Sequence, residues 1–371
     1  MGYARRGASS IPARRSYLEP RRAPGRGAGI VNVVQAGLGS WGRSWIGLLS
    51  EGSGIELAAV VDPDPGARQA AGSVPGYALL EEALAQVECD AVLVASPPST
   101  HYTVAKAALE AGKHVLCEKP LATSLEDAFD LVEIADRTQR VLTVSQNYRY
   151  NAPFRAVQRI VAEGHLGELA SIRIRCRRDT RTLFAPGDFR YSLRHPYVLD
   201  MSIHHFDLIR AATGRDVCGV FARSWRVPDS PFSHHPAVAA ILDLKGGVPV
   251  VYEGDWATRE PETSWNGEWE IVGEMGRLLW RGDTEDRGEG EVLLQGWGEE
   301  PRPVEQENLA FVEREATLQS LRAAVEDGEV PETAAADNIK SLAVVIGCVG
   351  SIEEEEPVEV AALLDAGGAK L

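Results

Sequence analysis

Three features of this 371-residue sequence predict an α/β fold: a doubly wound parallel sheet, followed by an α+β region with a large, mostly antiparallel open sheet. Short apolar runs alternate with helical patterns through the first 150 residues, and a glycine-rich turn follows the first run. Beyond Asn151 the apolar period shifts to two, the mark of half-buried strands. Composition agrees: 44% of residues are hydrophobic and 25% charged, enough to fill one or two ordinary cores.

The first run, residues 30–36, is rich in β-branched side chains, and Gly37-Leu-Gly39-Ser40-Trp41-Gly42 follows at once, opening a helical pattern that ends near Leu49. Strand, glycine turn and helix together make a dinucleotide site of the Rossmann kind. Gly37 permits the tight turn, Gly39 lets the backbone approach a pyrophosphate, and Gly42 lets the helix pack on the strand. Ser40 and Trp41 lie at the helix start, whose amides receive the anion. A second strand, 55–61, ends in Asp62, twenty residues beyond Gly42, where a carboxylate accepts both ribose hydroxyls and repels a 2′-phosphate. NAD is therefore expected, with NADP left open by nearby Arg68; the plainer reading of Asp62 is a strand-end turn residue ahead of Pro63.

Alternation continues with a helix at 79–86, a strand at 91–95, a helix at 101–111 and a strand at 114–117. Ser124-Leu-Glu-Asp127 then caps another helix, and 141–144 supplies a fifth strand. Doubly wound sheets bind ligands at the carboxyl ends of their strands. Polar residues gather at those ends: Ser96, Pro97 and His101 after the third strand, Glu118, Lys119 and Pro120 after the fourth, and Asn147 after the fifth. They complete the expected cofactor site.

In the second half, residues 170–177 alternate strictly, and further strands are expected at 217–227, 238–244, 248–257, 268–272, 277–280 and 291–294. Arg173, Arg175 and Arg177 form a basic row on the outer face of the first of these, suited to an anionic substrate, a solvated face or a subunit contact. Helices near 308–325 and 334–351 complete the layer. The expected division is a disordered basic tail at 1–28, a dinucleotide-binding domain at 29–150, and a substrate-binding and oligomerisation domain at 151–371 whose last helices pack back on the first.

Charge narrows the partners. Fifty-four acids against 38 bases give a formal charge of -16, which repels phosphate backbones and argues against general nucleic-acid binding. The first 28 residues differ, with seven arginines, one glutamate and no apolar run of the signal-peptide kind. Five scattered cysteines without a Cys-x-x-Cys pair argue against a disulfide framework or structural zinc and fit a reducing cytoplasm. The apolar stretch 342–352 is well short of the roughly 20 residues of a membrane span.

Two groups carry chemistry. Lys119 follows a buried-looking strand and precedes a proline, which aims its ammonium at the cofactor crevice, where it would stabilise a developing alkoxide; a solvated strand-end lysine is the plainer reading. In Asp200-Met-Ser-Ile-His204-His205-Phe-Asp207, helical spacing puts Asp200, His204 and Asp207 on one stripe, so that a carboxylate orients an imidazole facing the ligand. Histidine suits proton abstraction from a hydroxyl near neutral pH. His205 points about 100° away. Spacing leaves two other readings open, a metal site formed by Asp200, His204 and Asp207, and a core histidine making polar contacts. Trp256, Trp265 and Trp269 offer aromatic faces to a sugar or cyclitol ring, or pack in the core.

Taken together, the glycine turn, Glu118-Lys119-Pro120 and Asp200-x-x-x-His204-x-x-Asp207 resemble, in order, the motifs of the Gfo/Idh/MocA family of NAD(P)-dependent oxidoreductases, over about residues 31–360. The resemblance implies that Lys119, Asp200 and His204 line the hydride-transfer site, with His204 as proton acceptor. It further implies hydride transfer between nicotinamide and a secondary hydroxyl or ketone of a sugar, cyclitol or related polyol, and a homodimer or homotetramer built on the second sheet. Arg194-His-Pro-Tyr-Val-Leu199 stands where many members carry glycines, which reshapes the pocket entrance. The alternative is a catalytically silent nucleotide-binding regulator or scaffold of the same fold.

Overall fold

A computed structural model describes residues 29–49, 54–185, 187–282 and 290–366; the expected tail at 1–28 lies outside them. Six parallel strands form the first sheet: β1 (Val31–Ala36), β2 (Ile55–Val61), β3 (Gly76–Tyr77), β4 (Ala91–Val94), β5 (His114–Cys117) and β6 (Leu142–Val144). Their order is β3-β2-β1-β4-β5-β6, so the winding reverses between β1 and β4 and opens a crevice at the strand ends there. All four residues of β4 are buried, as a strand covered on both faces requires. The helices of this half are α1 (Ser40–Ile46), α2 (Pro65–Gln69), α3 (Leu80–Gln86), α4 (Pro98–Glu110) and α5 (Leu125–Thr138). The expected five strands become six because β3 is a two-residue edge strand, too short to show as an apolar run.

Helix α6 (Ala152–Ala162) corrects the expected direct passage from sheet to sheet. Phe154, Val157 and Ile160 bury one face of it, and Pro153 sits harmlessly in its first turn. The second sheet then runs through β7 (Leu169–Arg177), β8 (Val217–Trp225), β9 (Ala237–Leu244), β10 (Val248–Asp255), β11 (Glu268–Gly273), β12 (Gly276–Arg281), β13 (Glu291–Gly296), β14 (Arg302–Pro303) and β15 (Val358–Glu359). Its order is β14-β13-β12-β11-β7-β10-β9-β8-β15, antiparallel throughout except where β7 pairs with β10. Along β7, Ile172, Ile174 and Cys176 are buried while Arg173 and Arg175 face outward. The basic row is not left open to an anionic substrate: Arg173 pairs with Glu270 (3.1 Å), Arg175 with Glu253 (3.1 Å) and Arg177 with Glu260 (2.5 Å).

A π-helical turn (Val198–Ser202) leads into α7 (Ile203–Thr213). Helix α8 (Glu313–Glu326) starts later than expected and lays Leu318 and Leu321 on Val31, Val33, Trp45 and Leu93 of the first half. Helix α9 (Ala335–Glu354) is long and apolar enough to cross a membrane by length and composition, more than the stretch 342–352 implied, but 72% of its apolar window is buried within the protein. A short α10 (Val360–Ala366) follows.

The two halves are tied by a buried ionic cluster. Arg149, just after β6, donates through Nε and Nη2 to both oxygens of Asp207 on α7, at 2.6 and 2.7 Å. Ser341 on α9 adds a third hydrogen bond to Asp207 at 2.8 Å. Burial works against the Arg149 charge, but Asp207 outweighs it and holds the guanidinium above its ordinary range. Since Asp207 is 1% exposed, removing its charge strands a buried arginine. Asp207→Asn is expected to cost about 3–5 kcal/mol in urea unfolding; a loss under about 1 kcal/mol would show that the cluster does not hold the halves together.

Candidate active site

The glycine turn is built by close approach. A Cβ on Gly37, whose φ is +102°, would lie 2.4 Å from the Ser96 nitrogen, and one on Gly42 would lie 2.2 Å from the Gly37 oxygen. Gly39 meets nothing within 4 Å, so the open space lies above the middle of the turn. Below it, the buried Gln35 amide donates to the carbonyls of Gly37 (3.0 Å) and Gly42 (2.7 Å). Asp62 accepts from Leu38 N through Oδ2 (2.8 Å) and from Asp64 N through Oδ1 (2.9 Å), which fixes its carboxylate beside the turn. This cradle has the backbone surface and the acid that a dinucleotide needs. Arg68 is engaged elsewhere, donating to the carbonyls of Asp62 (2.5 Å) and Pro63 (3.1 Å).

The other expected cofactor residues tie neighbouring turns together. His101 bridges the carbonyls of Pro120 (2.7 Å) and Ser96 (2.8 Å). Glu118 accepts on one oxygen from the indoles of Trp41 (2.7 Å) and Trp45 (3.0 Å), and on the other from Lys119 N (3.1 Å). Arg314 of α8 stacks over both indoles, at 4.6 and 5.1 Å. The glycine turn and the Lys119 turn are thus one rigid unit.

A single cavity of about 2040 Å³ takes in Gly37, Gly39, Ser40, Trp41, Gly42, Asp62, Ser96, Pro97, His101, Glu118, Lys119, Asn147, Asp200 and His204. The expected residues therefore share one cavity, but not with the expected bonds. Lys119 Nζ donates to the Asp200 carbonyl (2.7 Å) and to Asp200 Oδ1 (2.6 Å), while Arg190 Nε donates to Asp200 Oδ2 (2.7 Å). Burial alone would raise the Asp200 carboxyl; the two cations outweigh it and hold the group well below the usual carboxylate range. Asp200 does not orient His204, and neither does Asp207, which is committed to Arg149. The wider π turn at Val198–Ser202 breaks the stripe that an unbroken α-helix would have made. With the two acids bound to different cations, Asp200, His204 and Asp207 do not converge as a metal site.

His204 is held by packing instead. Its ring stacks on Tyr148 with centroids 4.3 Å apart and planes 14° from parallel, and its buried Nδ1 has no hydrogen-bond partner among the described residues. Burial, then the charges of Lys119 and His205, push its pKa well below the ordinary histidine value, against a weaker pull from Asp200. The core-histidine reading belongs to His205, which is saturated by Tyr252 Oη (2.8 Å) and the Trp265 carbonyl (2.9 Å) and pushed down to about 4 by burial. Of the three tryptophans, Trp256 and Trp265 line the cavity, whereas Trp269 packs on Trp280 at 5.5 Å.

Sequence reasoning missed Tyr148 and Arg190. Tyr148 lay within the polar run after β6; Arg190 sits in an aperiodic loop that gives no signal.

A doubly wound sheet with a glycine cradle, opening on a cavity shared with a second sheet, defines a two-part dinucleotide-dependent oxidoreductase. Residues 31–146 match the model of the oxidoreductase family with an NAD-binding Rossmann fold, and residues 154–279 match the GFO/IDH/MocA C-terminal domain. The chain belongs to the GFO/IDH/MocA family. It is 27% identical over 288 residues to 1,5-anhydro-D-fructose reductase of Ensifer adhaerens, covering 76% of this chain and 83% of that one. It is 31% identical over 226 residues to inositol 2-dehydrogenase of Pseudarthrobacter chlorophenolicus, covering 59% and 65%. An Agrobacterium radiobacter oxidoreductase, solved in complex with NAD+, L-tartaric acid and magnesium, shares the fold with a TM-score of 0.80 at 22% identity, over 90% of this chain and 99% of that one.

The buried neutral histidines set a pH dependence. His114 and His205 fall from 6.5 to about 4 in the folded chain, so the unfolded chain binds more protons between those values and stability rises with pH there. Stability against urea is expected to fall as pH drops from 6.5 toward 4, by about 1.4 kcal/mol per pH unit for each such histidine. A flat profile over that window would contradict the burial assigned to them.

Proposed function

We propose that the chain oxidises a secondary hydroxyl of a sugar, cyclitol or related polyol to a ketone with NAD, or runs the reverse reduction. The observation that carries this reading is that Lys119, from the end of β5, and His204, from α7, face the cavity that also contains the glycine cradle. Bound NAD supplies the acceptor for the hydride that leaves the carbinol carbon. The chain's own residues manage the proton and the charge. Kept neutral by burial and the neighbouring Lys119 ammonium, His204 takes the hydroxyl proton through its ring nitrogen facing the cavity. Lys119 commits two of its three N–H groups to Asp200, and the third donates to the reacting oxygen and stabilises its developing negative charge.

Asp62 supports NAD over NADP, because a carboxylate anchored beside the turn repels a 2′-phosphate while Arg68 is bonded to backbone carbonyls. For assembly, we favour a homodimer or homotetramer through the outer face of the second sheet, where Ile241 and Val251 lie opposite one another and are each 49% exposed. Five free thiols support a reducing cytoplasm.

His204→Ala and Lys119→Ala are each expected to lower kcat by about 10²–10⁴-fold on a polyol panel, followed by nicotinamide absorbance. Both should still bind NADH, read by fluorescence titration; undiminished turnover in both would overturn the assignment. kcat/KM is expected to favour NAD over NADP by about tenfold or more, and Asp62→Ser to narrow the ratio. A wild-type preference for NADP would remove the role given to Asp62.

A further inference from the structure

We propose that Arg190 is a positioning residue that holds the Asp200 carboxylate on Lys119 and off His204, so that base and cation coexist in one site. The inference rests on the dehydrogenase reading above and assigns a role to a residue outside the three motifs.

Asp200 has two destinations. One is Lys119, across the crevice, and the other is the His204 imidazole one turn further along the same helix. A carboxylate that reached the imidazole would stabilise its protonated form and raise the pH above which the ring is free to accept a proton. Burial adds a second hazard, since it favours the neutral carboxyl, which would no longer anchor the ammonium. Arg190 answers both. Its Nε bond to Oδ2 (2.7 Å) occupies the oxygen that Lys119 leaves open and adds a second cation to keep the acid ionised.

The guanidinium is itself well fixed. Nη1 reaches both oxygens of Asp188 at 3.1 Å, and the plane lies against the rings of Phe184 (4.8 Å) and Phe189 (4.7 Å). Only the geometry of a fork allows Nε and Nη1 to hold two acids at once; a lysine presents a single point of charge. The charged and titratable groups facing this pair come from three elements: Lys119 after β5, Asp188 and Arg190 from the loop before α7, and His205 on α7 itself. His205 is neutral near pH 7, so Arg190 and Lys119 are the cations that decide where Asp200 points.

Two measurements test this on the full chain. In the first, the pH profile of kcat is recorded with whichever polyol the panel identifies. Arg190→Gln should lower kcat about tenfold or more and move the acid limb up by at least one pH unit, because Asp200 turns to His204. Arg190→Lys should restore the limb in part. In the second, the ring nitrogens of His204 are titrated by ¹⁵N NMR in the NADH-loaded protein, the signal being assigned by its loss in His204→Asn. Its midpoint should rise by at least one unit in Arg190→Gln.

A lower kcat with the acid limb and the NMR midpoint both unmoved would mean that Arg190 is merely structural, and would overturn the proposal while leaving the dehydrogenase reading intact. Should no polyol be oxidised or ketone reduced, that reading fails, yet the NMR titration still decides for or against Arg190. Circular dichroism and NADH binding of Arg190→Gln check that the variant folds.

Discussion

A single half-buried carboxylate governs how the two halves of this protein meet. Asp200 is reached by Lys119 from the end of β5 and by Arg190 from the loop before α7, so three separate stretches of chain end on two oxygen atoms. A buried ion pair is weak evidence for stability, because desolvation offsets much of its attraction. Here the arrangement gives a fixed location: an ammonium on a flexible four-carbon stem acquires one position, and that position faces the crevice where the glycine turn opens.

The position of Asp200 depends in turn on α7, and α7 is placed by the Arg149 cluster. Arg149 follows β6 directly, so its bidentate bond to Asp207 sets α7 relative to the first sheet, and Ser341 ties the same acid to α9. Arg210, one turn further, bonds Asp337 of α9 at 2.7 Å and Ser341 at 2.9 Å. Helix α7 is thereby held on two sides before its amino end enters the cavity. There the π turn adds a residue to the helical circuit, which swings Asp200 toward Lys119 and leaves His204 to stack on Tyr148. One local change of helical pitch separates the acid from the imidazole.

The parts of the site that depend on local sequence were legible, and the parts that depend on tertiary choice were not. Glycines at 37 and 42 announce the cradle because a side chain at either would collide with neighbouring backbone, and Gly39 completes the spacing over open space. Lys119, Asp200 and His204 were readable as a group from their motifs, and the second sheet from its alternation. Their bonding was not readable, because spacing four apart implies an α-helical stripe, and nothing in Val198–Ser202 marks a π turn. Arg190 was invisible for a related reason: a loop without period gives no hint of which acid it will reach. Even Asp207, expected on one stripe with Asp200 and His204, lies on α7 but is committed to Arg149.

An acid–base pair in one cavity must hold opposite protonation states within a short distance, and the environment that favours one tends to spoil the other. Burial penalises the charged imidazolium, so a deep site keeps the ring unprotonated, though as a weaker base. The same burial would discourage an ammonium. Asp200 resolves the conflict only because it is directional: pressed against Lys119 it favours that charge, while from His204 it exerts a pull weaker than the opposing effects of burial and of Lys119 itself. In the proposed reaction the ammonium thus serves twice, once toward the reacting oxygen and once by discouraging a proton on the neighbouring ring. Stacking on Tyr148 then orients the imidazole by shape, with no added charge that would bias its protonation. An aromatic face in place of the expected carboxylate is therefore what the electrostatics of this site require.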